Sequence, residues 1–122
     1  MAGAKIAKSG GLTETAKVAA VAEAAGIALY GGTMLEGTIG TIASAHLFAS
    51  LPQPLTYGTE LFGPLLLKDD IVIERPVYAN FKIGIPSAPG LGVTIDEDKL
   101  AFYRRDRSTS IAAAKSYIRV AF

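Results

Sequence analysis

Apolar positions in this chain fall into short runs that alternate with longer stretches of helical period. Lys5-Ile6-Ala7-Lys8-Ser9 predicts a short buried strand, and Gly10-Gly11 turns the chain after it. From Leu12 to Ala25, residues Val18, Val21, Ala22 and Ala25 recur at helical spacing and mark the expected inner face. Thr13 is the expected N-cap, Glu14 suits the positive end of the helix dipole, and Gly26 reads as the closing glycine. Ile27-Ala28-Leu29-Tyr30 predicts a second strand ending in Gly31-Gly32. A second helix is expected over Thr38 to Ser50, with Ile39, Ile42, Ala43, His46 and Leu47 inward, stopped by Pro52 and Pro54. Leu55-Thr56-Tyr57-Gly58 predicts a third strand.

This alternation, at about 25 residues per unit, predicts parallel strands joined by right-handed helical crossovers, an α/β architecture. In such folds chemistry is done at the rim formed by the carboxyl ends of the strands. Lys5 is therefore a candidate acid or base, provided that its surroundings tune its charge.

The second half reads differently. Ile71-Val72-Ile73 suits a strand or an extended connector. Val77 to Ile83 alternates apolar and polar positions as a half-exposed strand does. Pro86, Pro89, Gly90 and Gly92 predict a loop, and Asp96-Glu97-Asp98 an acidic start to a short helix through Tyr103. The tail from residue 105 onward has no assigned structure.

Composition narrows the function classes. The chain has 122 residues, half of them hydrophobic, which suits one α/β unit or part of one. The net charge of +1 argues against nucleic acid or an anionic membrane as partner, and Arg104, Arg105 and Arg107 read as a solvated cluster. The absence of cysteine excludes disulfides, thiolate zinc sites and thiol nucleophiles. No secretory leader and no apolar run near the roughly 18 residues of a membrane span are visible, so a soluble, cytoplasmic protein is expected. His46, the single histidine, sits mid-helix on an apolar face and reads as a packed, hydrogen-bonded side chain. Gly10-Gly11 lacks the rest of a phosphate-binding loop, so tight turning is its expected role.

Three blocks say more than periodicity does. Lys5-Ile6-Ala7-Lys8-Ser9-Gly10-Gly11, then Leu29-Tyr30-Gly31-Gly32-Thr33-Met34-Leu35-Glu36-Gly37, then Gly58-Thr59-Glu60-Leu61-Phe62-Gly63-Pro64 resemble, in order and spacing, the carboxyl-terminal part of the muconate cycloisomerases. These form the muconate-lactonising branch of the enolase superfamily, and the resemblance continues through Pro89-Gly90-Leu91-Gly92. It implies the last three strands and helices of a (β/α)7β TIM-like barrel over residues 1–75, and a segment packing toward a capping domain over residues 76–104. The implied reaction is the reversible closure of cis,cis-muconate to muconolactone in aromatic catabolism. One carboxylate of this small dicarboxylate adds across a double bond while the other is held on Mn2+ or Mg2+, which stabilises an enolate.

By the same resemblance Lys5 faces substrate at the end of the sixth barrel strand, opposite the main acid/base lysine. Glu60 follows the eighth strand, Phe62 walls the pocket, and Gly32, Thr33 and Met34 form the rim after the seventh. The family's metal-binding carboxylates and Lys-x-Lys motif precede the position of Lys5, and Glu36, Asp69 and Asp70 do not correspond to those ligands. No metal ligand is therefore expected here. An amino-terminal portion of the enzyme is the implied partner, and a homo-oligomer is expected. Two alternatives stay open: a sister activity (chloromuconate cycloisomerase, dipeptide epimerase or o-succinylbenzoate synthase), or a non-catalytic piece that assembles through its open sheet edges.

Overall fold

A computed structural model of the protein describes residues 1–105. Arg107 and the unassigned tail beyond residue 105 lie outside the described residues. Strand β1 (Ala2–Ala4) pairs in parallel with β2 (Leu29–Gly31), in the register Ala2 opposite Leu29 and Ala4 opposite Gly31. A third parallel lane follows at Thr59, bridged to Gly31. Gly31 N–H donates to the Gly58 carbonyl and Glu60 N–H to the Gly31 carbonyl. The two crossovers are helix α2 (Leu12–Ala24) and helix α3 (Thr38–Ser50). Parallel lanes joined by helices are thus present, as the alternation predicts.

The first strand is displaced from its expected place. Lys5 itself is extended, and Ile6–Ser9 forms a single helical turn, α1, closed by Gly10 at φ 93°. Lys8 lies on that turn and is exposed, so Lys5 and Lys8 diverge because the strand ends between them. The third lane is likewise later than Leu55–Gly58, since its pairing is made at residues 58–60.

Helix α2 starts one residue after Gly11, which is its N-cap, and Thr13 makes no cap. It ends in a Schellman motif: Gly26 is left-handed at φ 64°, its N–H meets the Glu23 carbonyl, and Ile27 N–H meets that of Ala22. Its buried residues are Thr15, Ala19 and Ala22, whereas Val18 and Val21 are exposed. The inner face therefore differs from the expected one. Small side chains let α2 lie close to the sheet, and the Thr15 hydroxyl returns to the Gly11 carbonyl at 2.7 Å.

The core joins Ala4 and Leu29 of the strands to Ala19 and Ala22 of α2, Ala45, Leu47 and Phe48 of α3, and Leu61. Ile42 and Ala43 are buried as expected, while Ile39 and His46 are half-buried.

Beyond the helical turn α4 (Gly63–Leu66) the expected strand over Val77–Ile83 is a hairpin, β3 (Tyr78–Ala79) against β4 (Lys82–Ile83). Its two turn residues, Asn80 and Phe81, both have positive φ (49° and 59°), the signature of a type I′ turn. Val72 bridges Ile95 in antiparallel sense, so the Ile71–Ile73 segment is extended without becoming a full strand. Helix α5 (Glu97–Tyr103) begins where its acidic residues predict, with Asp96 accepting from Lys99 N–H. Among the described residues no helix is long and apolar enough to cross a membrane.

Candidate active site at the carboxyl ends of the strands

All three lanes run parallel, so the residues that follow Ala4, Gly31 and Thr59 gather at one rim. They are Lys5, Gly32-Thr33 and Glu60. The Lys5 stem lies across Gly32, where a Cβ would stand 2.6 Å from Lys5 Cε and 2.8 Å from its Cγ. A larger residue there would force the Lys5 side chain off this path. The Lys5 ammonium ends 3.7 Å from Glu60 Oε1, with the two side chains 29% and 33% exposed. A pair this open to solvent contributes under about 1 kcal/mol to stability, so its importance is positional.

Thr33 ties this pair to a second carboxylate. Its N–H donates to Glu60 Oε1 over 3.4 Å, its hydroxyl donates to Glu36 Oε2, and it accepts from Leu35 N–H at 3.0 Å. Met34 N–H also donates to Glu36 Oε2, at 2.7 Å. Burial works against the Glu36 anion, but the Thr33 hydroxyl, nearby backbone N–H groups and the Lys5 charge together hold its carboxyl below the ordinary value. Its other oxygen, Oε1, is buried with no hydrogen-bond partner. Tyr30, at the centre of β2, has its phenol pushed up first by burial and then by the neighbouring Glu60 carboxylate.

Lys5, Gly32, Thr33 and Glu60 are therefore brought together. Met34 joins through its N–H while its side chain is exposed, and Phe62 lines a cavity with Leu61, Tyr78, Phe81 and Ile83. Sequence reasoning did not single out Tyr30 or Glu36 as site residues. The Thr33-x-x-Glu36 spacing places both side chains within reach in the loop before α3, which is the one trace of their contact in the sequence.

The remaining chemical candidates have structural partners. His46 Nε2 lies 3.2 Å from the Leu91 carbonyl, Asp70 Oδ2 accepts from Thr38 N–H at 2.8 Å, and Asp69 pairs with Lys99 at 2.8 Å. Among the described residues no group of three or more His, Cys, Asp or Glu is disposed to hold a metal ion. At the rim, the Lys5 ammonium occupies the place beside Glu60 that a cation would need. The described residues at this rim do not fit a divalent metal.

Comparison with known proteins places this geometry. Muconate cycloisomerase 1 of Pseudomonas putida is 62% identical over 101 residues, which is 83% of this chain and 27% of that protein. The crystal structure of a muconate lactonizing enzyme from Klebsiella pneumoniae superimposes with a TM-score of 0.81 at 58% identity, covering 85% of this chain and 29% of the other. The Pseudomonas fluorescens muconate lactonizing enzyme complexed with muconolactone gives 0.80 at 60% identity, covering 84% and 28%. The chain spans just over a quarter of the length of the curated relatives it matches. The sequence-family model described as "Enolase C-terminal domain-like" matches residues 1–99, from β1 to the opening of α5, and the chain belongs to that family.

Proposed function

We propose that this chain forms one sector of a muconate cycloisomerase active site, in which Lys5 and Glu60 meet the substrate. The observation that carries the reading is the Lys5 ammonium standing 3.7 Å from Glu60 at the carboxyl-end rim of three adjacent parallel lanes. A cation there is suited to a dicarboxylate such as cis,cis-muconate, and Glu60 stands beside it to orient it. Gly32, Thr33 and Met34 form the rim against which substrate lies, and Phe62 supplies a pocket wall.

On this reading residues 1–75 are the last three strand–helix units of a (β/α)7β barrel, and residues 76–104 pack toward a capping domain. The Mn2+ or Mg2+ of the family would be held by residues outside this chain and would supply charge stabilisation there. Its ligands belong to an amino-terminal portion that this chain does not contain, so activity requires that portion. A cytoplasmic homo-oligomer is the setting the reading implies.

The test is a chimera in which this chain replaces the matching 101-residue segment of the Pseudomonas putida enzyme. With cis,cis-muconate and Mn2+, loss of diene absorbance is expected, and Lys5→Ala should reduce turnover by on the order of 10²-fold or more. A folded chimera without turnover, or one indifferent to Lys5→Ala, overturns the reading.

A further inference from the structure

We propose that Gly32 is a positioning residue for Lys5: having no side chain, it leaves the space through which the lysine stem runs, and so sets where the ammonium stands beside Glu60. The inference rests on the reading of Lys5 as a residue of the site, and gives Gly32 a duty beyond lining the rim.

Only the lysine asks for glycine at this position. Gly32 does not have the positive φ that Gly10, Gly26 and Gly58 have, so its backbone would accept a side chain. The three atoms nearest to a Cβ built there all belong to the Lys5 stem: Cε at 2.6 Å, Cγ at 2.8 Å and Cδ at 3.2 Å. Ordinary carbon contacts lie at roughly 3.5–4.0 Å, so the stem would have to move. The main chain around it cannot slide away to make room. Gly32 N–H donates to the Ala4 carbonyl at 2.8 Å, immediately before Lys5, and Glu60 N–H donates to the Gly31 carbonyl at 2.9 Å. The lysine side chain is therefore what yields, and its ammonium leaves the place 3.7 Å from Glu60 Oε1.

The neighbouring glycine sharpens the assignment. A Cβ on Gly31 would meet Thr59 Cγ2 at 2.6 Å and Phe48 Cε2 at 2.8 Å, and Phe48 belongs to the buried core. Successive positions of an extended chain point to opposite sides. Gly31 thus serves the packing of α3 on the sheet, and Gly32 serves Lys5.

The experiment separates these two duties. In the full 122-residue chain, Gly31→Ala should lower the denaturant unfolding midpoint, and Gly32→Ala should lower it far less, because only a part-exposed side chain has to move. In the crystal structure of the chimera, Gly32→Ala should carry Lys5 Nζ beyond the ion-pair range of about 4 Å from Glu60. With cis,cis-muconate and Mn2+, kcat should then fall on the order of 10- to 10²-fold, by more than KM rises. In a Lys5→Ala background the same substitution should cost little further, since the side chain it displaces is gone. Lys5 still beside Glu60 in the Gly32→Ala structure overturns the proposal. So does an equal loss of kcat in both backgrounds, which would mean that residue 32 acts on the substrate itself. If Gly32→Ala does not fold, the double variant with Lys5→Ala decides: recovered folding supports the proposal, and no recovery overturns it. A displaced Lys5 in a chimera that never turns over supports it, and counts against the cycloisomerase reading alone.

Discussion

At the scale of single residues, the carboxylates divide by what donates to them. Glu60 faces an ammonium, Glu36 a hydroxyl and backbone N–H groups, Asp70 the first N–H of α3, and Asp69 both Lys99 Nζ at 2.8 Å and the Tyr103 hydroxyl at 3.1 Å. The Lys99 hydrogen bond, with help from Asp70 N–H and Tyr103, lowers Asp69 from its ordinary 3.8 to about 2. A lowered carboxyl stabilises the fold above its unfolded value and loses that contribution as pH falls through the folded one. Lys99 and Tyr103 are both raised, first of all by their hydrogen bonds to Asp69, so their contributions are complete below their ordinary values and fade at alkaline pH. The docking of α5 should therefore hold through mid-range pH and loosen between about pH 4 and about pH 2, with salt weakening it because the pair is partly exposed. Amide NMR signals of Glu97–Tyr103 that stay unchanged down to pH 2 would contradict this. The sequence reading names Lys5 and Glu60 as candidates and weighs Glu36 only as a metal ligand, because the donors around a carboxylate are known only once the chain is folded.

At the scale of elements, α3 is started by a residue far away in sequence. Its own N-cap, Gly37, has no side chain to offer, and Asp70 accepts the Thr38 N–H instead while its other oxygen takes Ile71 N–H at 2.8 Å. Asp70 is buried, at 6% exposure, so removing it leaves a helix start without its acceptor. Asp70→Ala should destabilise the chain by about 1–2 kcal/mol in denaturant unfolding, and Asp70→Asn, which keeps an acceptor, by less. Equal unfolding midpoints for Asp70→Ala and the parent would reject this account. The end of α3 is legible because Pro52 and Pro54 follow it, and its start near Thr38 falls where expected, whereas the acceptor that fixes that start, Asp70, is not. The strand at the amino end is not legible, because Ala2-Gly3-Ala4 carries no β-forming side chain and becomes a strand only by pairing with Leu29–Gly31. The inner face of α2 is misread for a related reason: close approach to the sheet favours alanine, which leaves the larger valines outside.

At the scale of the molecule, three parallel lanes form part of a sheet rather than a closed one, and among the described residues β1 pairs only with β2. The unpaired edge of β1 is an invitation to pairing, and exposed apolar side chains such as Val21 on α2 and Ile27 after it add to it. The 122-residue chain in isolation should therefore self-associate, its weight-average mass in sedimentation rising with concentration; a monomer with a cooperative melt at all concentrations would contradict that. The parallel order is legible from the alternation of apolar runs with helices, although only the run at Leu29–Gly31 is itself a strand. The hairpin at Tyr78–Ile83 is hidden by a turn that uses Asn-Phe where asparagine–glycine is the usual cue.

The path of the Lys5 stem over Gly32 has a consequence for freedom of motion. A lysine side chain forfeits about 1.5–2 kcal/mol of rotamer entropy when it is immobilised. Here much of that loss is incurred on folding, by laying the methylenes in the trough that a missing Cβ leaves open. On the proposed reading, an anionic ligand arriving at the rim would meet an amine already aimed, with less left to freeze.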